Sequence, residues 1–464
     1  MTGASADDPL SRLATFAAAL TFSDIPAPVI AKAKVHLLDT LGAALAGACS
    51  AEFRLAGAIV ADLGGGAGLW GTTRRVGGRD AALVNGVAAH VFELDDTGGC
   101  DHSGAVVVPA VLAAASAGPE VVSGQDLLVA IVCGYEVGRR VLEASGGYGP
   151  HNEAGWHSTG TCGTMAAAAA VARLWRFSPE RMAGAIALAT SFSSGLWAFI
   201  HDGSQAKKIH AGRAAEGGLL AAMLVRDGFT GPGRVFDDVW GGFFTTFDGR
   251  QGDLTRFTDG LGAIWKIDRV SLKPYASCRG THSAVDCVDD ILAASGRTTA
   301  DIDRIDVRLS PMLMGMCGGF DVATLPAAQM SLPYALAARW VFGEAGLSAY
   351  ARDKRGDPAV VAAMGRIRLA VDADMPAMDE PDVTLTFRDG EAATATVPQP
   401  KGSPQRPMSR QEIEAKFVNL AAMALTTSAV AETIDIVNRL EAIDDCRTLE
   451  RALCAPRPAP AAFA

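Results

Sequence analysis

Ala27-Pro-Val-Ile-Ala-Lys-Ala-Lys-Val-His-Leu-Leu-Asp-Thr-Leu-Gly-Ala-Ala-Leu-Ala-Gly47 is the stretch from which the fold can be read. Val29, Ala33, Leu37, Leu41 and Leu45 recur at helical spacing, and Pro26 and Pro28 mark the start, where proline costs no intrahelical hydrogen bond. The segment therefore reads as a buried helix. The same texture continues through 80–96, 105–117, 124–142, 163–175, 179–188 and 213–227, with Gly or Pro near most breaks. These segments are so rich in Ala and Gly that their helices can approach closely, and a large all-helical domain is expected.

The texture changes after Trp265. Ile302–Leu309 alternates as a strand does, and Val383–Phe387, the turn Asp389-Gly390 and Ala393–Val397 read as a hairpin. Leu332–Phe342 and Pro358–Met364 between them read as helices. Helical pattern returns from Arg410 to about Leu453. The expected fold class is mainly α: a large helical domain formed by both chain ends, 1–265 and 401–464, with a smaller inserted α+β lid at 266–400. The last ten residues, 455–464, rich in Pro and Ala, read as a loose terminus.

With 464 residues, 49% hydrophobic and 20% charged, the chain can bury an extensive interior. No apolar run reaches the roughly 18 residues of a bilayer span, so no membrane partner is expected. The opening residues lack the basic-then-apolar order of a signal peptide, and the nine cysteines, an odd number without a C-x-x-C pair, suggest reduced thiols. A cytoplasmic location is the expectation. A net charge of -10 argues against a nucleic-acid partner, so an anionic ligand must be held by a local cationic cluster.

Seven of the eight histidines lie in or beside segments rich in small polar residues. Four blocks carry them. In His90-Val-Phe-Glu93-Leu-Asp95-Asp96-Thr97-Gly-Gly-Cys-Asp101-His102, acids gather where a helix continued to Thr97 would end, a placement that opposes the helix dipole unless a cation, a proton or hydrogen bonds compensate. A solvated acidic cap is the plainer reading. In Gly155-Trp-His157-Ser-Thr159-Gly-Thr-Cys-Gly163, hydroxyls and free N–H groups open a helix and form a ready anion site, though ordinary capping explains them too.

Asp202-Gly-Ser-Gln-Ala-Lys207-Lys208-Ile-His210 brings two lysines to a loop-helix junction, able to fix a carboxylate or to lie solvated in a basic turn. Lys273-Pro-Tyr-Ala-Ser-Cys-Arg279-Gly-Thr-His282 supplies a guanidinium suited to bidentate carboxylate binding and a histidine suited to proton transfer. The literal G-x-G-x-x-G at Gly66–Gly71 is followed by no helical pattern and reads as a loop. No Walker sequence, H-E-x-x-H or G-x-S-x-G occurs, so neither metal nor cofactor is expected.

In this order the four blocks resemble the MmgE/PrpD family, with similarity also at Leu38-Asp-Thr-Leu-Gly42 and at Gln329-Met-Ser-Leu-Pro-Tyr334-Ala335. The resemblance spans about residues 30 to 440. It implies cofactor-free carbanion-type chemistry beside the carboxylates of a small polycarboxylate, in a cleft between helical domain and lid, and a homodimer. Hydro-lyase chemistry like that of 2-methylcitrate dehydratases is the leading expectation. The alternatives are epimerisation of an iminodisuccinate-like dicarboxylate, cis-aconitate-type decarboxylation, and a non-enzymatic carboxylate-binding protein. The implied catalytic residues are His102, His157, His282, Lys207, Asp96 and Tyr334, with Thr97, Thr159, Lys208, Lys273 and Arg279 binding substrate. Two departures stand out: Glu93 lies where the family often has Asp, and the family's H-P-[SG]-G segment appears one residue shorter as His102-Ser103-Gly104, after a Gly98-Gly-Cys-Asp101 loop unlike that of the dehydratases.

Overall fold

The computed structural model describes residues 8–63, 66–118 and 120–457; the opening residues 1–7 and the tail beyond 457, read above for targeting and looseness, lie outside them. The molecule is mainly α, with a small α+β region. At its centre runs Ser158–Leu174, a helix all 17 of whose residues are buried. Gly124–Ala144, Ala206–Arg226 and Ser103–Ala117 pack around it. Small residues make this possible: a methyl on Gly218 would come within 2.4 Å of Ala167 Cβ, and one on Gly86 within 2.7 Å of Gly212 Cα. Helices this close gain dense packing and leave no room for a larger side chain.

Ala27–Gly47 is a helix, capped by Pro26 and buried along most of its length. Arg410–Ala421, from the far end of the chain, packs on it, with Phe417 against Gly42 and the Lys416 ammonium 2.7 Å from Asp39. One apolar core accordingly collects side chains from Leu10 to Leu272 and again from Ile413 to Leu453. A second collects Ala276 to Val397, with Val91, Phe92 and Leu94 wedged into it.

The sheet has four strands in the spatial order Ile367–Val371, Ile302–Leu309, Asp382–Phe387, Ala392–Thr396. The last two form the expected antiparallel hairpin. Ile367–Val371, which pairs parallel to Ile302–Leu309 at the edge, was not anticipated; Ile367, Leu369 and Val371 alternate, but the run is five residues long and only Ile367 is buried.

Two sequence expectations need correction. Gly66–Gly71 is more than a loop, since Ala67–Gly68 pairs antiparallel with Arg75–Val76 in a two-residue ladder. The helix over 80–96 spans Gly78–His90 and stops six residues early. Glu93 then adopts φ 53°, a left-handed conformation that no helix accommodates. The helix continued to Thr97, on which Glu93, Asp96 and Thr97 would share a face by i+3 and i+4 spacing, therefore does not form, and the acids stand on a turn instead.

Candidate active site

Three helix N-termini converge on the turn that follows His90. Ser103–Ala117 starts after His102, Ser158–Leu174 after His157, and Ala206–Arg226 carries Lys207, Lys208 and His210 in its first turns. Their unsatisfied N–H groups favour negative charge at the meeting point. Asp96 answers one of them, accepting the Gly104 N–H at 2.9 Å, and it also meets the Tyr135 hydroxyl and His36 Nδ1.

Glu93 is fully buried among three lysines. Its Oε1 lies 2.8 Å from the Lys207 ammonium and 2.7 Å from that of Lys208, and its Oε2 lies 3.0 Å from that of Lys273. Burial alone would raise its pKa, but the lysines outweigh burial and hold it well below the usual carboxylate range. A lone buried carboxylate or ammonium here would be prohibitive; together they compensate. Lys273 reaches this point because residues 271 and 97 are bridged, backbone to backbone.

Beside this cluster stand four imidazoles and two carboxylates. His102 Nδ1 is 3.0 Å from Asp95 Oδ2, and its Nε2 is 3.5 Å from Asp101 Oδ2. His157 Nε2 is 3.4 Å from the same oxygen of Asp101 and 3.2 Å from Thr159 Oγ1. Asp101 Oδ1 accepts the Thr97 hydroxyl at 2.8 Å. Thr159 Oγ1 also accepts the His102 backbone N–H at 3.3 Å, tying the two histidine loops together.

The two histidines are driven apart electrically. Burial lowers both, but His102 lies between Asp101 and Asp95, and its pKa is raised. His157 has Asp101 on one side only, with Lys207 and His102 opposing it, and falls to about 4. His210, 3.0 Å from His157 Nδ1, falls to about 2 through burial and the neighbouring His157. His102 is thus pushed toward keeping its proton and His157 toward losing it, the direction of separation that an acid and a base require.

A cavity of about 540 Å³ opens onto this arrangement, lined among others by Glu93, Thr97, Asp101, His102, Lys207, Lys273 and Arg279. Arg279 is paired with Glu380 at 2.7 Å. A larger groove of about 930 Å³ runs between Ala27–Gly47 and Arg410–Ala421 but gathers no comparable set of acid-base groups.

Of the residues singled out from the sequence, Thr97, His102, Lys207, Lys273 and Arg279 line the cavity. Lys208, Thr159 and His157 stand in the layer behind it. Asp96 anchors helix ends as described. His282 Nε2 faces the Ser277 carbonyl at 3.2 Å and Tyr334 donates its hydroxyl to the Ala349 carbonyl; neither lines the cavity. Sequence reasoning left out Glu93, Asp101 and His90. His90 Nδ1 pairs with Asp95 at 3.0 Å, and its Nε2 has no hydrogen-bond partner among the described residues. All three lie in the block from His90 to His102, and the signal was the crowding of acids and histidines on both sides of the glycine pair Gly98-Gly99.

One nitrogen each of His90, His102 and His157 falls within 4.8 Å of the others, so these rings could hold a metal ion. The fit is poor. His102 and His157 already face Asp95 or Asp101, and the Lys207 ammonium stands close enough to lower the His157 pKa, a charge that would repel a cation.

The fold and site describe a helical protein with a buried acid-base cluster at a cavity lined by lysines and arginines. Residues 11–255 match the MmgE/PrpD N-terminal domain and residues 275–442 the MmgE/PrpD C-terminal domain, so the chain belongs to the MmgE/PrpD family. It is 31% identical to a cis-aconitate decarboxylase-like protein, oryM, of Aspergillus oryzae, across 92% of this chain and 93% of that one. It is 28% identical to a cis-aconitate decarboxylase of Aspergillus terreus (97% and 96% covered) and 27% identical to that of Homo sapiens (93% and 91%). Among the described residues no helix is long and apolar enough to cross a membrane.

Proposed function

We propose that the protein is a lyase that acts on a small polycarboxylate by moving a proton at a carbon next to a carboxylate. The observation that carries this reading is the pair His102 and His157, set on two sides of one Asp101 oxygen, with the His102 pKa pushed up and that of His157 pushed down. Removing such a proton places negative charge on the adjacent carboxylate, which Lys207, Lys273 and Arg279 are positioned to stabilise. His157, neutral behind the cavity wall, takes the proton; Asp101, whose carboxyl His102 and His157 hold well below the usual carboxylate range against burial, stays ionised between the two rings and orients them. His102, at the cavity wall and raised above the ordinary imidazole pKa, protonates the departing hydroxyl, which leaves as water. This is hydro-lyase chemistry.

Carboxy-lyase chemistry is the second reading, favoured by the relatives named cis-aconitate decarboxylase. There the bond to a carboxylate breaks, carbon dioxide leaves, and His102 protonates the carbanion. Both readings share the same groups and need no cofactor.

Incubating the protein in D2O with a panel of di- and tricarboxylates, followed by proton NMR, tests both. Deuterium entry beside a carboxylate, with appearance of an unsaturated acid, supports the first. Loss of one carboxylate as carbon dioxide supports the second. No exchange and no turnover with any acid overturns both.

A further inference from the structure

Asp101 is an uncommon residue to find where it is. Its φ of 86° is a left-handed conformation, uncommon outside glycine and visited chiefly by Asn and Asp, and it is 5% exposed at the wall of the cavity. The surrounding structure must hold it there, because backbone strain of this kind does not persist unsupported. The Thr97 hydroxyl, His102 and His157 all turn toward its carboxylate. Those three groups are what a buried site would set around one carboxylate of a ligand, and here the chain supplies that carboxylate itself.

The remaining cations limit the ligand further. Lys207 and Lys273 at the wall share Glu93 with Lys208 behind it, Arg139 and Arg269, also at the wall, share Glu143, and Arg279 is set against Glu380. Asp101, by contrast, faces the cavity with no lysine or arginine at ion-pair distance among the described residues. A ligand carboxylate placed against it meets a like charge at contact distance in a buried site, which repels strongly.

We propose that Asp101 sets the substrate class: a dicarboxylate carrying a hydroxyl or amine that donates to the Asp101 carboxylate, with tricarboxylates rejected. This rests on the polycarboxylate reading above and narrows it, and it sets this chain apart from the tricarboxylate that its relatives' names describe.

Calorimetric titration of the full chain at neutral pH with malate, succinate and tricarballylate tests it without requiring turnover. The wild type should bind malate about tenfold or more tighter than either of the others, the scale of one charge-assisted hydrogen bond. In Asp101→Asn, which keeps the shape and tolerates the left-handed backbone, the preference for malate over tricarballylate should shrink by about tenfold or more. Melting temperatures check folding, and Asp101→Gly, suited to the same φ, replaces the Asn variant if that one is unfolded. A wild type that prefers tricarballylate, or a variant that keeps the wild-type ratio, overturns the inference while leaving the polycarboxylate site standing. If none of the three acids binds the wild type, the site reading fails and takes this inference with it.

Discussion

Thr97 and Ser271 hold each other by two backbone hydrogen bonds, Thr97 N–H to Ser271 O at 3.0 Å and Ser271 N–H to Thr97 O at 2.8 Å. Residues 174 apart in the chain are thereby locked in one geometry: the turn that carries Glu93 and Asp101, and the segment that delivers Lys273. The lysine-glutamate cluster depends on this clamp as much as on its own charges.

Glu93→Gln should be among the most damaging single changes in the protein. It leaves three buried ammonium groups without their shared carboxylate. Breaking a buried ion pair by removing one partner costs about 3–5 kcal/mol, and urea unfolding should show a loss of this order. Because the Glu93 pKa is depressed, its contribution is complete above the ordinary carboxylate value and is lost as pH falls toward the folded value. The gap between wild type and variant should therefore narrow in acid; a constant gap down to pH 3 would contradict the ion-pair account.

What the sequence disclosed follows from which interactions are local. The helical face of Ala27–Gly47 and the Asp389-Gly390 hairpin are written in consecutive residues, and the structure has both. His102, Lys207 and Lys273 could be named from their blocks, and the structure sets them at the cavity. What Asp96 and Tyr334, named from the same family pattern, would touch could not be read there, since Gly104, Tyr135 and Ala349 meet them through contacts that no local pattern encodes. Glu93 was visible only as a departure from the pattern; its three lysines come from segments more than one hundred residues away.

Tyr334→Phe provides a clean contrast with the cluster. The hydroxyl is spent on the Ala349 carbonyl and does not reach the cavity, so kcat and KM should stay near wild type while stability falls by about 1 kcal/mol. Asp96→Asn should behave as a folding variant of larger effect, with KM of the surviving protein little changed, because its carboxylate serves Gly104, Tyr135 and His36. A drop of about a hundredfold in kcat for Tyr334→Phe, with stability intact, would return it to the list of catalytic groups.

The pH profile of kcat/KM should be a plateau with unequal origins on its two sides. The acid limb belongs to His157, which must be neutral and is so above about pH 4. The alkaline limb belongs to His102, which must be protonated; its pKa is raised above the ordinary 6.5, so the limb lies on the alkaline side of that value. The stability that His102 contributes follows the same sign, complete below its unfolded pKa and lost as pH rises through the folded one. His102→Asn should abolish the alkaline limb along with most of the activity. An alkaline limb that persists unchanged in the residual activity would assign it to another group.

The last prediction separates binding from proton transfer by kinetics. His157 lies behind the cavity wall, with Asp101 and Thr159 around one nitrogen and His210 against the other, and carries no charge to offer a ligand at neutral pH. His157→Ala should therefore lower kcat by on the order of 10²-fold or more while KM changes little, as expected for a group used only as the proton moves. Lys207 is different: its ammonium lines the cavity, leans on the Trp197 and Phe199 rings and shares Glu93 with two other lysines. It meets the ligand before and during reaction, so Lys207→Ala should raise KM as well as lower kcat. Activity should survive exhaustive EDTA treatment in wild type and variants alike, since the chemistry is assigned to side chains; loss of activity restored by one divalent metal would point instead to His90, His102 and His157 as ligands. Near-wild-type kinetics in both variants, on a substrate the parent turns over, would move the chemistry out of this cavity altogether.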